Sequence, residues 1–347
     1  VYKRQEQDLA DELALTVVSA KSIKAALDVD WRLPDARNAA LNALLDQVSR
    51  LMCWLEANLS AEEVGRPPLS DAIALVEKLI DQDTEPDPDR PTTSTRRVKS
   101  GGSDRQVSIH DPDQRHGRKS KTKLFVGYKR HISTDADIPG LVVSVRVEPA
   151  NVREYSAARP LLEDADRQGF TVTELHIDRG YLPANSVHER RRDGMRVVSK
   201  PPTPNRNSKR LGKADFDIDT TNGTVTCPAG HAVDTQPTKA GPTAAFPRSQ
   251  CRACVLSSQC LPPCGQKKIV LHPNEAFYQQ MAAELSTRKG RAARRARVAV
   301  EHTLGRLGAI QGRKARYRGL AKNQAHAEGC AVVANCYALD RALAAAA

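Results

Sequence analysis

Aromatic side chains are scarce in this sequence: five Phe, seven Tyr and two Trp, or 4% of 347 residues. A protein that grips single-stranded nucleic acid by base stacking needs more rings, so stacking is not the expected basis of any nucleic-acid contact. No apolar run is long enough to cross a bilayer, which excludes a membrane-spanning helix. No secretion signal is visible, so a disulfide framework is the weaker explanation of the eight cysteines. Negative charge is also short: 41 Asp and Glu stand against 53 Lys and Arg, for a net charge of +12. That imbalance favours a polyanionic partner, most simply nucleic acid. The opening "VYKRQ" has no Met, and the chain is expected to be the back part of a longer protein.

Five segments are expected. Residues 1–82 read as a helical region, with helices over 6–28, 36–58 and 70–82. In the second, Leu41, Leu44, Leu45, Val48, Leu51, Met52 and Leu55 recur at helical spacing, and Pro34 and Asp35 suit its first turn. Residues 83–103 have the Pro, Asp, Ser, Thr and Gly content of a linker. From 104 to 200 the pattern turns mixed. Strands are expected at 106–110, 125–134, 141–149, 171–178 and 195–200, a turn at 137–140, and helices at 157–169 and 184–194. Hairpin-linked strands followed by helix–strand alternation indicate a mixed α/β sheet. Residues 201–275 break the rhythm with a Pro-rich stretch and five of the cysteines, and residues 276–347 return to helix.

The charge concentrates in one place. Residues 288–322 carry twelve Lys or Arg and a single acid, Glu301. A solvated helix face explains most charge runs, but one sign over so long a stretch is costly unless a polyanion relieves it. Glu301 itself has two readings. Arg297 lies four residues before it, the spacing of an ion pair on one helix face; alternatively it is a metal ligand in a cleft that the cations open to DNA. Asp178 poses a similar choice. In "HIDRGYLP" (176–183) it ends an apolar stretch just before a glycine, as a turn-forming Asp does. A strand end is also a rigid mount for a ligand. Taken together, an acid on a strand end and an acid on a later helix suit phosphodiester chemistry, in which Mg²⁺ or Mn²⁺ is held by oxygen donors from distant parts of a chain.

The ordered strings "DRQVSIHDPDQRHGRKSKTKLFVGYKRHISTD" (104–135), "PAN" (149–151), "ELHIDRGYL" (174–182), "KADFDID" (213–219), "TCPAGH" (226–231), "CRACVLSSQC" (251–260), "RARVAVEHTLGRL" (295–307) and "QGRKARYRGLAKN" (311–323) make the chain resemble an insertion-sequence transposase of the DDE class. The likeness is to the bacterial group with a Cys-containing insert between the second and third acids. It implies an RNase H-like core with a helical N-terminal region and a Cys-rich insertion. Asp178 would be the second catalytic acid and Glu301 the third. Arg297 matches the Arg of the Arg-x-x-x-Glu helix that contacts DNA beside the active site. Arg294 stands where some relatives have Tyr, and Gly308 where they have Lys. The first acid is expected upstream of Val1, with Asp111 and Asp135 the substitutes within the chain. Arg294, Arg297, Arg313, Lys314, Arg316, Arg318, Lys119 and Lys129 are the candidate DNA contacts. The implied partners are terminal inverted repeats and target DNA, with a homodimer pairing two element ends in a bacterial, nucleoid-associated setting. The alternative from another class is a catalytically inactive remnant that still binds DNA.

Cys227, Cys251, Cys254 and Cys260 are the candidate ligands of a structural zinc, with His231 or Cys264 able to replace one of them. The bland counterpart is a set of reduced, partly buried thiols. A zinc-ribbon regulator that binds DNA through 227–264 is a third reading. Cys53, Cys330 and Cys336 sit on helical patterns and are expected in the core.

Overall fold

The computed structural model describes residues 2–87, 96–98, 102, 104–120, 122–202, 210–261, 265–312 and 314–347. Cys264, Arg313 and much of the expected linker and Pro-rich stretch lie outside these. The chain divides into two compact units. One is Val1–Lys129 with Pro149–Asn151 and Tyr317–Leu320; the other is Arg130–Glu148, Val152–Arg316 and Ala321–Ala347.

The first unit begins with short helices α1 (Tyr2–Glu12), α2 (Thr16–Ser19) and α3 (Ile23–Leu27), where a single helix over 6–28 was expected. The reason is local. Ala14 takes a φ of 52°, which closes α1, and the Ser22 side chain accepts the Ala25 N–H to open α3 afresh. Arg50 donates to the carbonyls of Leu13 and Ala14 left free at that break. Helix α4 (Pro34–Asn58) starts at its proline as expected, and α5 (Ala61–Val64) and α6 (Leu69–Asp83) follow. Strand β1 (Thr84–Pro86) pairs antiparallel with β2 (Arg96–Val98), and β3 (Arg115–Arg118) with the start of β4 (Leu124–Thr134). The expected strand at 106–110 does not form. The Ser108 hydroxyl accepts the N–H groups of His110 and Asp111 and turns the chain there, while Gln106 exchanges backbone bonds with the Gln82 amide.

In the second unit β5 (Val142–Pro149) is the other neighbour of β4. Helix α7 (Ala158–Arg167) buries Ala158, Leu161, Leu162 and Ala165. Strands β6 (Glu174–His176) and β7 (Arg196–Val198) pair in parallel across α8 (Asn185–Arg192), the geometry a crossover helix permits. The expected strand 171–178 is thus only three residues long. An antiparallel sheet of five strands runs in the order β12-β11-β10-β9-β8. Its members are β8 (Asp217–Asp219), β9 (Thr224–Thr226), β10 (Ala232–Gln236), β11 (Thr243–Ala245) and β12 (Lys268–Val270), with short helices α9 (Arg248–Ala253) and α10 (Ser257–Cys260) between the last two. Helices α11 (Glu275–Ser286), α12 (Arg288–Ala296), α13 (Val298–Gln311) and α14 (Leu320–Ala346) complete the chain.

The architecture is therefore mixed α/β, but the described strands form four sheets rather than one. Three clusters pack the second unit. Leu182, Val187, Met195 and Val197 join Tyr278 and Met281 of α11; Ile132 and Val142 meet Leu307 and α14; and Phe216, Val225, Phe246 and Ile269 fill the five-stranded sheet. Among the described residues no helix is long and apolar enough to cross a membrane.

Candidate active site

Parallel pairing makes β6 and β7 end on the same edge, and the residues that leave that edge share one cleft. Ile177 extends the pairing by donating its N–H to the Val198 carbonyl at 3.0 Å. Asp178 comes next, in extended conformation at the start of a 3₁₀ turn over Arg179–Tyr181. Its carbonyl accepts the Tyr181 N–H at 3.0 Å, so the backbone closes the turn. The carboxylate makes no capping bond to that turn. It is 57% exposed and meets Arg297 instead, Oδ2 to Nη1 at 2.8 Å.

Arg297 sits at the junction where α12 ends and α13 begins. Its second terminal nitrogen, Nη2, reaches Glu301 Oε1 at 3.3 Å one turn along α13. One planar guanidinium thus joins two carboxylates that are far apart in sequence, through the fork that distinguishes Arg from Lys. The ion-pair reading of Glu301 is the one this geometry displays. It is the i,i+4 partner of Arg297, and it is brought to Asp178 by the same contact.

The turn that carries Asp178 is anchored from below. The Tyr181 hydroxyl lies 2.6 Å from His131 Nδ1, and His131 Nε2 lies 3.6 Å from Glu148, with His131 and Glu148 both buried. Burial, then the charges of Glu154, Asp178 and Glu148, push the Tyr181 phenol above its ordinary range, so it stays a neutral hydrogen-bonding group. The small cleft at Asp178 is lined by His176, Ile177, Val198, Ser199, Lys200, Arg294 and Arg297. Sequence reading singled out Arg294 and Arg297 but not Lys200 or His176. The signal for Lys200 was present, since it follows β7 as Asp178 follows β6, but it needed the parallel pairing to be read.

Asp111 and Asp135 are used differently. Asp111 belongs to the first unit and is 2% exposed. Its carboxylate accepts bonds from the Tyr128 hydroxyl at 2.6 Å, Gln114 Nε2 at 2.9 Å and the Gly319 N–H at 3.2 Å. Burial pushes its pKa up, but these hydrogen bonds outweigh that and hold it below the usual value. Asp135, in the second unit, accepts the N–H groups of Asp137 and Ile138 at the β4–β5 turn. Asp135 therefore carries the bonds of a turn-forming aspartate, whereas the Asp111 carboxylate is held by side chains and by a backbone N–H remote in sequence. Of the other basic candidates, Lys314 and Arg316 lie exposed after α13 in the second unit, while Lys119, Lys129 and Arg318 belong to the first. Arg313 lies outside the described residues.

Cys227, Cys251, Cys254 and Cys260 are free thiols that border one small, partly open cavity, together with His231. Cys227 follows β9 in a turn closed by the Gly230 N–H on its carbonyl, and the Leu256 N–H donates to Cys254 Sγ at 3.4 Å. Burial, opposed by Lys267 and helped by the three other sulfurs, pushes the Cys260 thiol up. Among the described residues no group of three or more His, Cys, Asp or Glu is arranged to hold a metal ion.

Residues 226–339 match the family model of a transposase DDE domain. The matched span holds the four cysteines, the basic segment, Arg297 and Glu301; Asp178 precedes it. No curated protein and no solved structure matches the chain.

Proposed function

We propose that this chain, which carries a DDE-class transposase domain, cuts and rejoins DNA at the ends of an insertion sequence by metal-dependent phosphoryl transfer. The observation that carries the proposal is Arg297, whose guanidinium touches both Asp178 and Glu301. Two exposed carboxylates that share one guanidinium offer hard oxygen donors of the kind that suits Mg²⁺ or Mn²⁺. When bound, such an ion neutralises phosphate charge and activates the attacking oxygen.

The chain's own residues do the rest. Asp178 and Glu301 would hold the ion. Lys200, Arg294 and Arg297 grip phosphates along the cleft, which fixes the strand in line for attack. The Tyr181–His131 bond keeps the turn under Asp178 from shifting. On this reading the DNA partners are terminal inverted repeats and target DNA, with two copies of the chain pairing two ends; light scattering with and without an end duplex reads that assembly. The core is RNase H-like, and the four cysteines that border one cavity would close the insert around one structural zinc if drawn together from the arrangement described above. Elemental analysis of purified protein reads the zinc directly.

The test is nicking of a supercoiled plasmid carrying the element's ends, with Mg²⁺ or Mn²⁺ present. Asp178→Asn and Glu301→Gln should each lower nicking by more than about 100-fold, beyond what outer-shell ligand partners cost. DNA affinity should change by less than about fivefold, the scale of an exposed ion pair. Nicking by both variants at the parental rate sinks the site assignment. Salt-sensitive DNA binding with no nicking by any form, parent included, supports the alternative of a DNA-binding remnant.

A further inference from the structure

Arg297 is the least exposed member of its own trio. Its side chain is 21% exposed, whereas Asp178 is 57% and Glu301 63%. Ion pairs between groups as open as these carboxylates are weak and exchange readily with solvent ions. The guanidinium has less freedom. Its planar head lies in the cleft, and if it gives up both carboxylates it needs another anion close by, because a half-buried cation without a partner is costly. The same cleft is lined by Arg294 and Lys200, with His176 beside them. Once Arg297 lets go, three cationic side chains border one small space, and the anion that fits such a space in a DNA-handling chain is a backbone phosphate.

We infer that Arg297 is an exchangeable counter-ion: it ties Asp178 to Glu301 while no divalent cation is bound, and passes its guanidinium to a DNA phosphate, gripped with Arg294 and Lys200, when the carboxylates take one. The inference rests on the reading of Asp178 and Glu301 as metal ligands and adds a coupling to it. With Arg297 in place, a divalent cation competes with a tethered guanidinium for the same oxygens. A phosphate in the cleft removes that competitor. Metal and DNA therefore bind with positive cooperativity, and linkage makes the effect equal in both directions. Arg297 acts here as a positioning residue for the carboxylates before it acts on DNA.

The experiment is Mn²⁺ binding to the whole chain by electron paramagnetic resonance, with and without a short DNA duplex. A protein carrying both Asp178→Asn and Glu301→Gln corrects for Mn²⁺ held by the DNA itself. Wild type is expected to bind Mn²⁺ at least about fivefold more tightly with DNA present, the lower end of ordinary coupling. Arg297→Gln is expected to bind Mn²⁺ tightly without DNA and to gain nothing from it. Arg297→Lys keeps the charge without the fork, so its gain should lie between the two; this second variant serves if Arg297→Gln does not fold. Lys200→Ala, which removes one of the phosphate contacts, should lower the coupling. A wild-type affinity that DNA does not alter, or an Arg297 variant indistinguishable from wild type, overturns the exchange while leaving the two carboxylates as ligands. Equal Mn²⁺ binding by wild type and the doubly substituted protein overturns the ligand reading as well.

Discussion

Asp178 and Asp111 are both aspartates beside an apolar stretch, yet the chain uses them in opposite ways. The Asp178 carboxylate is left open to the cleft, its turn being closed by backbone. Asp111 is buried and saturated by Tyr128, Gln114 and Gly319. This difference has a pH signature. Burial raises the Asp111 pKa and the hydrogen bonds lower it, with a net depression. A carboxylate with a depressed folded pKa contributes stability above its unfolded value of about 3.9, and that contribution is lost as pH falls through the folded value. Removing the strongest donor should therefore cost most near neutrality. Tyr128→Phe is expected to lower stability by about 1–2 kcal/mol at pH 7, with the gap from wild type narrowing below pH about 4. Thermal unfolding of both proteins across that range checks it. A gap that is constant with pH would mean that the Tyr128 bond does not favour the charged form of Asp111.

At the scale of elements, the basic segment is two helices and not one. Helix α12 begins where the Thr287 hydroxyl accepts the Gly290 N–H, and a Cβ at Gly290 would strike the Glu284 carbonyl of α11. The tight corner from α11 to α12 thus depends on that glycine. The second break, at Arg297, is what lets one side chain reach backward to Asp178 and forward to Glu301. Sequence periodicity located the positive charge but not these corners, because a glycine inside an Arg-rich run reads as a helix position until a neighbouring helix approaches it. The five-stranded sheet makes a separate demand. Its strands are three to five residues long, and its core is chiefly Phe216, Val225, Phe246, Ile269 and Leu271. Purified protein is expected to hold about one zinc per chain, and Cys254→Ser to lose it along with several degrees of melting temperature. Zinc-free protein whose cluster thiols react along with exposed Cys53 and Cys336, and a melt unmoved by chelator, would show that the apolar cluster suffices.

For the whole molecule, the decisive quantity is net charge, +12 over 347 residues. Phosphate contacts release counter-ions, so DNA affinity should fall steeply with salt, by a slope of about 0.9 for each phosphate neutralised. Lys314 and Arg316 lie exposed after α13. Replacing both with Ala should lower the slope by about 2 and weaken binding evenly across DNA sequences. Filter binding over a salt series reads the slope. An unchanged slope would remove these two residues from the DNA surface.

Composition and periodicity settled the coarse terms without help from the fold. A net charge of +12 favours a polyanionic partner, an apolar stripe starting at Pro34 forms a helix, and an acid one turn after Arg297 pairs with it, because these follow from charge, from 3.6-residue geometry and from distances within a turn. The sequence also marked Asp178 and Glu301 as acids worth pairing, through the resemblance they help to carry. What it left undecided were contacts between distant segments. That Asp111 is saturated depends on Tyr128 and on Gly319 from the far end of the chain. That Lys200 stands beside Asp178 depends on β6 and β7 being parallel. That one guanidinium holds both acids depends on where α12 gives way to α13. The contacts of Asp111 with Tyr128 and Gly319, of β6 with β7 and of Arg297 with Asp178 join segments remote from one another in sequence, so no local pattern encodes them and only packing decides them.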